Sequence, residues 1–242
     1  MDLYAVVLAV GFFAGCVGGV VGTGASAILL PVLAWAFGPM QAVPLMVIAA
    51  VMANLARVGL WWRDVSWRAV VLYSLPGVPA AMLGARTLLR LPARHLDLSL
   101  GIFFLLLVPL RRRLPAACAR LNDWQLALAG GGIGYLTGLL FATGPLSVTA
   151  FAAYGLVNGA FLATESASAL AFYLAKAGVF GGSGVLPVAV LLKGCLVGSS
   201  LMAGTALGKR IVLGMSPARF RYAMDVVLLW GGVSFMIGAF RA

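Results

Sequence analysis

The chain has 242 residues, of which 63% are hydrophobic and only 10% are charged, and its formal net charge is +11. Soluble domains carry roughly 25% charged residues, so this composition, with a mean hydropathy of +1.07, excludes an ordinary soluble fold. The cations stand mainly in short loops between apolar runs, which is typical of membrane proteins rather than of nucleic-acid binders.

The first apolar segment, residues 3–36, carries no charge and is too long to cross a bilayer once as a straight helix. As one helix it would extend about 51 Å, against a hydrocarbon core of about 30 Å. A glycine-rich interruption at residues 18–26 predicts the break, and it includes Thr23, Gly24 and Ser26. Because no basic region precedes the apolar run, we expect no cleavable signal peptide.

Three transmembrane helices are predicted next, at about residues 41–62, 67–88 and 95–110. The first carries Asn54 and Arg57 on one face, since they are three residues apart. A charge at the centre of a membrane helix costs about 2.5–3.5 kcal/mol, so such residues usually serve function. The alternative is that Arg57 extends to the interface near Trp61.

The second half begins after a basic linker loop at residues 113–123. Its first apolar segment breaks near residues 141–147, where Pro145 suits the first turn of a new helix. Helices are predicted over about residues 160–180, 186–208 and 218–239. Tyr173 and Lys176 share a face of the first of these, as Asn54 and Arg57 do in the first half.

Matched positions indicate that the chain is a tandem duplication. Arg57 and Lys176 are 119 residues apart, and a Pro-Ala-Arg string recurs at residues 92–94 and 217–219; Gly15 pairs with Gly134, Thr23 with Thr143, and Gly84 with Gly204 at 119 or 120 residues. The predicted fold is therefore an all-α polytopic membrane protein with two tandem-duplicated halves, residues 1–112 and 124–242. Each half has a broken or re-entrant helix and three transmembrane helices.

The path of the broken segment decides the topology. If it crosses the membrane once, the halves are parallel and the fourteen loop cations divide equally between the two sides. If it enters and leaves on one face, the halves are inverted and ten loop cations share a face against four. The positive-inside rule favours the inverted arrangement, with the ten cations in the cytoplasm.

Helices that restart inside a membrane present N–H groups and a positive dipole end, which suit an anion. The predicted substrate-binding residues combine these ends with hydroxyls and the two cations: Thr23, Gly24, Ser26, Asn54, Arg57, Thr143, Gly144, Ser147, Tyr173 and Lys176. Glu165 and Asp225 are the candidates for proton coupling; alternatively, Glu165 begins a helix and Asp225 pairs with Arg221. Glycine strings can also serve close packing alone, and hydroxyls can bond their own backbone.

The constellation suits a small hard oxyanion such as sulfite, or the head group of a sulfonate or carboxylate. The sequence has no P-loop, nucleophile elbow or histidine-rich set, so we expect neither an enzyme nor a metal or other cofactor. The predicted partners are a small anion and the lipid bilayer, without nucleic acid, and a homodimer stays open. An anion channel, a carboxylate transporter and a scaffold without transport are the alternatives.

Three motifs carry a resemblance to a known family: the string GCVGGVVGTGASAILLP at residues 15–31, RDVSWR at residues 63–68, and the segment from Gly134 to Pro145. With the duplication, they resemble the TauE/SafE sulfite exporter family, also called the sulfonate uptake permease superfamily. The resemblance implies a multi-pass protein of the bacterial inner membrane. It also implies secondary transport of sulfite, sulfoacetate or related organosulfonates.

Overall fold

The computed structural model describes residues 2–21, 25–91, 102, 105–106, 120–140, 143–156, 158–211, 229 and 233. These residues contain helices and no strand. The helices are α1 (Asp2–Val21), α2 (Ala25–Phe37), α3 (Pro39–Trp61), α4 (Trp67–Arg90), α5 (Asp123–Leu139), α6 (Gly144–Ala153), α7 (Asn158–Gly182) and α8 (Val188–Ile211), with a 3-10 turn at Trp62–Asp64. The helices predicted at residues 95–110 and 218–239 lie almost entirely outside the described residues.

The described helices have the length and surface of a membrane protein. Three are long and apolar enough to cross a bilayer: Met40–Asp64, Trp67–Arg90 and Val188–Leu207. Large apolar side chains such as Trp35 and Leu75 are more than 70% exposed on the outside of the bundle, which suits contact with lipid tails. The chain is a multi-pass helical membrane protein, as its composition predicted.

Both apolar segments that were predicted to break are divided into two helices. In the first half, α1 ends at Val21 and α2 begins at Ala25, so both of these bounds lie within the glycine-rich string of residues 18–26. In the second half, α5 ends at Leu139 and α6 begins at Gly144, with Pro145 in the first turn of α6 as expected.

Each pair of short helices folds back on itself as a hairpin. Tyr4 near the start of α1 packs against Phe37 at the end of α2, with ring centroids 5.6 Å apart. At the start of α5, the Leu121 N–H donates to Ala153 O at the end of α6 (3.0 Å), and Tyr154 Oη donates to Asp123 Oδ1 (2.7 Å). In each hairpin, therefore, the outer ends of the two helices lie side by side.

The first helix of each hairpin packs closely on a long helix of the other half, α1 on α8 and α5 on α4. Three glycines on each of α1 and α5 make these contacts, because a side chain added at any of these six would collide with the facing helix. The facing pairs are Gly11–Ser200, Gly15–Leu201 and Gly19–Thr205 for α1, and Gly130–Tyr73, Gly134–Gly77 and Gly138–Ala81 for α5. The α1 and α5 glycines match at 119 residues, and in both interfaces the helices run parallel.

Gly84 and Gly204 are also packed against a facing backbone, but their contacts are not equivalent. Gly204 faces Phe12 and Cys16 on α1, whereas Gly84 faces Tyr135 and Leu139 on α5. An offset of 119 residues from Phe12 reaches residue 131, one helical turn before Tyr135. The sequence match at 120 residues therefore pairs glycines that lie one turn apart in the two interfaces.

The buried apolar residues among those described form one large cluster and two smaller ones. The large cluster joins α1, α2, α3, α7 and α8 through residues such as Leu29, Leu45 and Phe180. The second joins α4, α5, α6 and α7 around Tyr73, Phe151 and Phe172, and the third joins α4 and α7 through Val70 and Ala163. At the inner ends of the hairpins, Ala25, Leu139 and Leu140 pack in the large cluster.

Candidate functional site

A cavity of about 50 Å³, lined mostly by buried residues, lies at the inner ends of the two hairpins. The start of α2 contributes Ala25 and Ser26, and the start of α6 contributes Thr143, Gly144 and Ser147. The other walls come from α3, α5, α7 and α8: Met46, Ala50, Ala53, Asn54, Arg57, Thr137, Glu165, Ala169, Phe172, Tyr173 and Leu201. A buried water needs about 10–15 Å³ of such space, so the cavity has room for a few waters or one small head group.

The cavity walls repeat the spacing of the sequence. Four pairs of lining residues from α3 and α7 are 119 residues apart: Met46 and Glu165, Ala50 and Ala169, Ala53 and Phe172, Asn54 and Tyr173. α3 and α7 also pack against each other. Matched positions in the two halves therefore face one common space.

Arg57 supplies the positive charge of the cavity. Its side chain is only 6% exposed, and its Nη1 donates to Gly18 O on α1 (3.0 Å). Its Nη2 donates to Asn54 Oδ1, while Asn54 Nδ2 donates to Ala50 O one turn earlier (2.8 Å). Arg57 is thus held inward by the end of α1 and by Asn54, rather than extended to the interface near Trp61.

Lys176 is fully buried but does not line the cavity. Its Nζ donates to Thr137 O (3.1 Å) and Leu140 O (3.2 Å) at the end of α5. The contact from Lys176 to Thr137 spans 39 residues, as does the contact from Arg57 to Gly18. Each matched cation therefore binds carbonyls near the C-terminal end of a hairpin's first helix, where positive charge is favourable.

The start of α6 offers fewer donors than its position predicts. Pro145 has no N–H, and the N–H groups of Leu146 and Ser147 donate to Thr143 O (2.9 and 3.2 Å). The Thr137 hydroxyl donates to Ile133 O (2.7 Å), so in its 2.6 Å contact with Thr143 the Thr143 hydroxyl must be the donor. A ligand at this helix end would meet the Gly144 N–H and the helix dipole, and Thr143 only after it releases Thr137.

Ser147 has a hydroxyl that can donate into the cavity. Its Oγ lies 3.0 Å from Tyr73 Oη, and Tyr73 is buried without lining the cavity. When Tyr73 donates to Ser147, the single proton of the Ser147 hydroxyl is left for a ligand. By contrast, the hydroxyls of Thr137 and Thr205 each donate to a carbonyl of their own helix, as was predicted for hydroxyls in membrane helices.

Glu165 is the acidic residue of the cavity wall. Its side chain is 3% exposed, and its Oε2 has no hydrogen-bond partner among the described residues. It is not at a helix start, because α7 begins at Asn158 and Glu165 lies two turns further on. The alternative that Glu165 is a helix-start residue is therefore wrong.

Comparison with known protein families assigns the chain. The sequence model described as "Sulfite exporter TauE/SafE" matches residues 7–235, nearly the whole length. The chain belongs to the TauE/SafE family. Membership of TauE/SafE implies a membrane transporter of sulfite-type anions. Neither the curated proteins nor the solved structures include a significant match to the chain.

Most of the predicted site residues of this TauE/SafE chain come together, and two additional polar residues join them. Ser26, Asn54, Arg57, Thr143, Gly144, Ser147, Tyr173 and Glu165 share the cavity. Lys176 is buried at the end of α5 and does not line the cavity. Thr23, Gly24 and Asp225 lie outside the described residues. Sequence reasoning missed Thr137 and Tyr73. Thr137 stands 119 residues after Gly18 of the glycine-rich string, so the repeat offset would have found it, whereas Tyr73 reaches Ser147 only through the packing of α4.

Proposed function

We propose that this chain is a secondary transporter that binds a small sulfur oxyanion or organosulfonate in the cavity. One observation carries the proposal: Arg57 and the starts of α2 and α6 face the same buried space. The cation and two positive dipole ends favour an anion there. The volume of about 50 Å³ suits sulfite or the head group of a short sulfonate such as sulfoacetate.

The proposed architecture has inverted halves around this site. Hairpins whose outer ends lie side by side support it, because a segment that returns to its own face leaves three crossings in each half. The reciprocal packing of α1 on α8 and α5 on α4 also supports it. The salt bridge from Arg68 to Asp123 (2.6 Å) joins two positions that this arrangement assigns to one face. By the charge rule, that face is the cytoplasmic side of the bacterial inner membrane.

A ligand screen on the purified protein tests the function. Sulfite, thiosulfate, sulfoacetate, taurine, sulfate and small carboxylates are added separately, and the thermal unfolding midpoint is measured. We expect a saturable rise with at least one sulfur anion, because a ligand that binds the folded state stabilises it. A rise with carboxylates alone would support a carboxylate transporter. No rise with any anion would contradict the proposal and favour a scaffold.

A further inference from the structure

Glu165 is a buried acid in a cavity that otherwise favours anions. The matching position in the first half, 119 residues earlier, is Met46, which lines the same cavity. An uncharged side chain, that of Met46 on α3, therefore occupies the matching place in the cavity wall. The Glu165 Oε2 is buried without a hydrogen-bond partner among the described residues. Such an acid usually indicates a functional role.

The charged groups near Glu165 are few. Arg57 on α3 and Tyr173 on α7 line the same cavity as Glu165, and Tyr73 on α4 is buried behind Ser147, with which it forms a hydrogen bond. Among the described residues, Arg57 and Glu165 are the charged side chains of the cavity wall. Other charged side chains on the packed elements do not line the cavity: Lys176 on α7, which donates to carbonyls at the end of α5, Arg63 and Asp64 in the 3-10 turn, Asp123 paired with Arg68, Arg86 and Arg90 on α4, and Lys193 on α8.

The charge of Arg57 can be neutralised either by Glu165 or by a bound anion. With the cavity empty, ionised Glu165 neutralises Arg57. When a monovalent anion is bound, the anion neutralises Arg57, and an ionised Glu165 would add a second negative charge within about 50 Å³. Two close negative charges in a site removed from water repel strongly, so one of them takes a proton.

We propose that Glu165 takes up one proton with each monovalent anion, so that the two cross the membrane together. This inference rests on the proposed function of the cavity. The proton comes from water on the side where the anion enters, and it returns to water on the side where the anion leaves. The net charge of the cavity wall and its contents is then zero both empty and loaded, and transport is electroneutral symport.

Binding at several pH values tests the coupling, with methanesulfonate as the probe because it stays ionised across the range. From about pH 5.5 to about pH 8.5 we expect the dissociation constant of the wild-type protein to rise. The rise approaches about tenfold per pH unit once Glu165 is ionised in the empty protein. In a weakly buffered solution, the protein takes up one proton for each anion bound under those conditions. Sulfite is titrated in the same way, with its own protonation subtracted.

Glu165→Gln and Glu165→Met are the decisive variants, and the second copies the side chain of Met46. Both should bind the probe with a constant that does not change with pH, and neither should take up a proton. Arg57→Ala is the control, since it should weaken binding at every pH. Proton uptake by the wild-type protein remains an independent readout if a variant does not fold.

The possible outcomes distinguish a failure of the proton coupling from a failure of the anion site. Binding without proton uptake, or a pH dependence that persists in Glu165→Gln, would overturn the coupling while the anion site stands. If the wild-type protein binds neither methanesulfonate nor sulfite at any pH, the proposed function fails, and the coupling fails with it.

Discussion

Arg57 and Lys176 each donate to a carbonyl 39 residues earlier in the chain, Gly18 O and Thr137 O. The sequence shows that both are intramembrane cations and that they match, because charge within apolar runs is rare. It does not show their partners, which lie on other helices and depend on how the hairpins fold. Only Arg57 lines the cavity, so the two cations should differ in what their loss does.

Replacing Arg57 should weaken anion binding by roughly ten- to a hundredfold, since charge-assisted hydrogen bonds contribute about 1.5–3 kcal/mol. Arg57→Lys should be nearly as harmful as Arg57→Ala, because lysine lacks the planar fork that reaches Gly18 and Asn54 together. The measurement is the dissociation constant of the best ligand from the screen. Lys193→Ala is the control: this cation lies 5.1 Å from the Phe37 ring and away from the cavity. Wild-type affinity in Arg57→Ala would mean that Arg57 is structural.

Lys176→Ala should lower stability more than it lowers affinity. It removes a donor from Thr137 O and Leu140 O, and an unsatisfied buried carbonyl costs about 1–3 kcal/mol. Thermal unfolding of the detergent-solubilised variant, beside its ligand dissociation constant, separates the two effects. An unchanged unfolding midpoint with lost binding would instead make Lys176 a direct ligand.

At the scale of elements, close glycine packing fixes α1 on α8 and α5 on α4. The second helix of each hairpin is followed by a glycine with positive φ, Gly38 (80°) after α2 and Gly155 (98°) after α6. Side chains other than glycine rarely adopt this conformation. Glycines at similar places therefore support the two hairpins.

Gly134→Ala tests the packing of α5 on α4. The added methyl group would collide with Gly77 O, so the helices must separate and the unfolding midpoint should fall. Gly132→Ala is the matched control on the same helix, where a methyl group meets nothing within 4 Å. There, the higher helix propensity of alanine should leave stability unchanged or slightly raised. Equal effects of the two substitutions would contradict the packing role.

The sequence predicted the described elements well, because both breaks carry glycine or proline inside apolar runs too long for one helix. The predicted α3, α4, α7 and α8 agree with the structure to within a few residues. Residue spacing could not predict that the Thr143 hydroxyl donates a hydrogen bond to Thr137, or that the N–H groups of Leu146 and Ser147 donate to Thr143 O. Such details depend on the local geometry of the turn before α6.

At the scale of the whole molecule, the inverted arrangement assigns the ends of α4 and α8 to opposite sides of the membrane. Single cysteines at positions 90 and 210, in a variant without Cys16, Cys118 and Cys195, test this assignment. We expect an impermeant thiol reagent added to intact cells to label position 90 and not position 210. Equal labelling at both positions would contradict the inverted arrangement and restore the parallel one.

Uptake of radiolabelled sulfite into liposomes that contain the purified protein tests the central claim most directly. Under an inward proton gradient, we expect saturable accumulation above the external concentration. Arg57→Ala should lose this accumulation and Lys193→Ala should keep it. Rapid flux that never exceeds equilibrium would indicate a channel, and equal accumulation by Arg57→Ala and the wild-type protein would contradict the assignment of the cavity as the transport site.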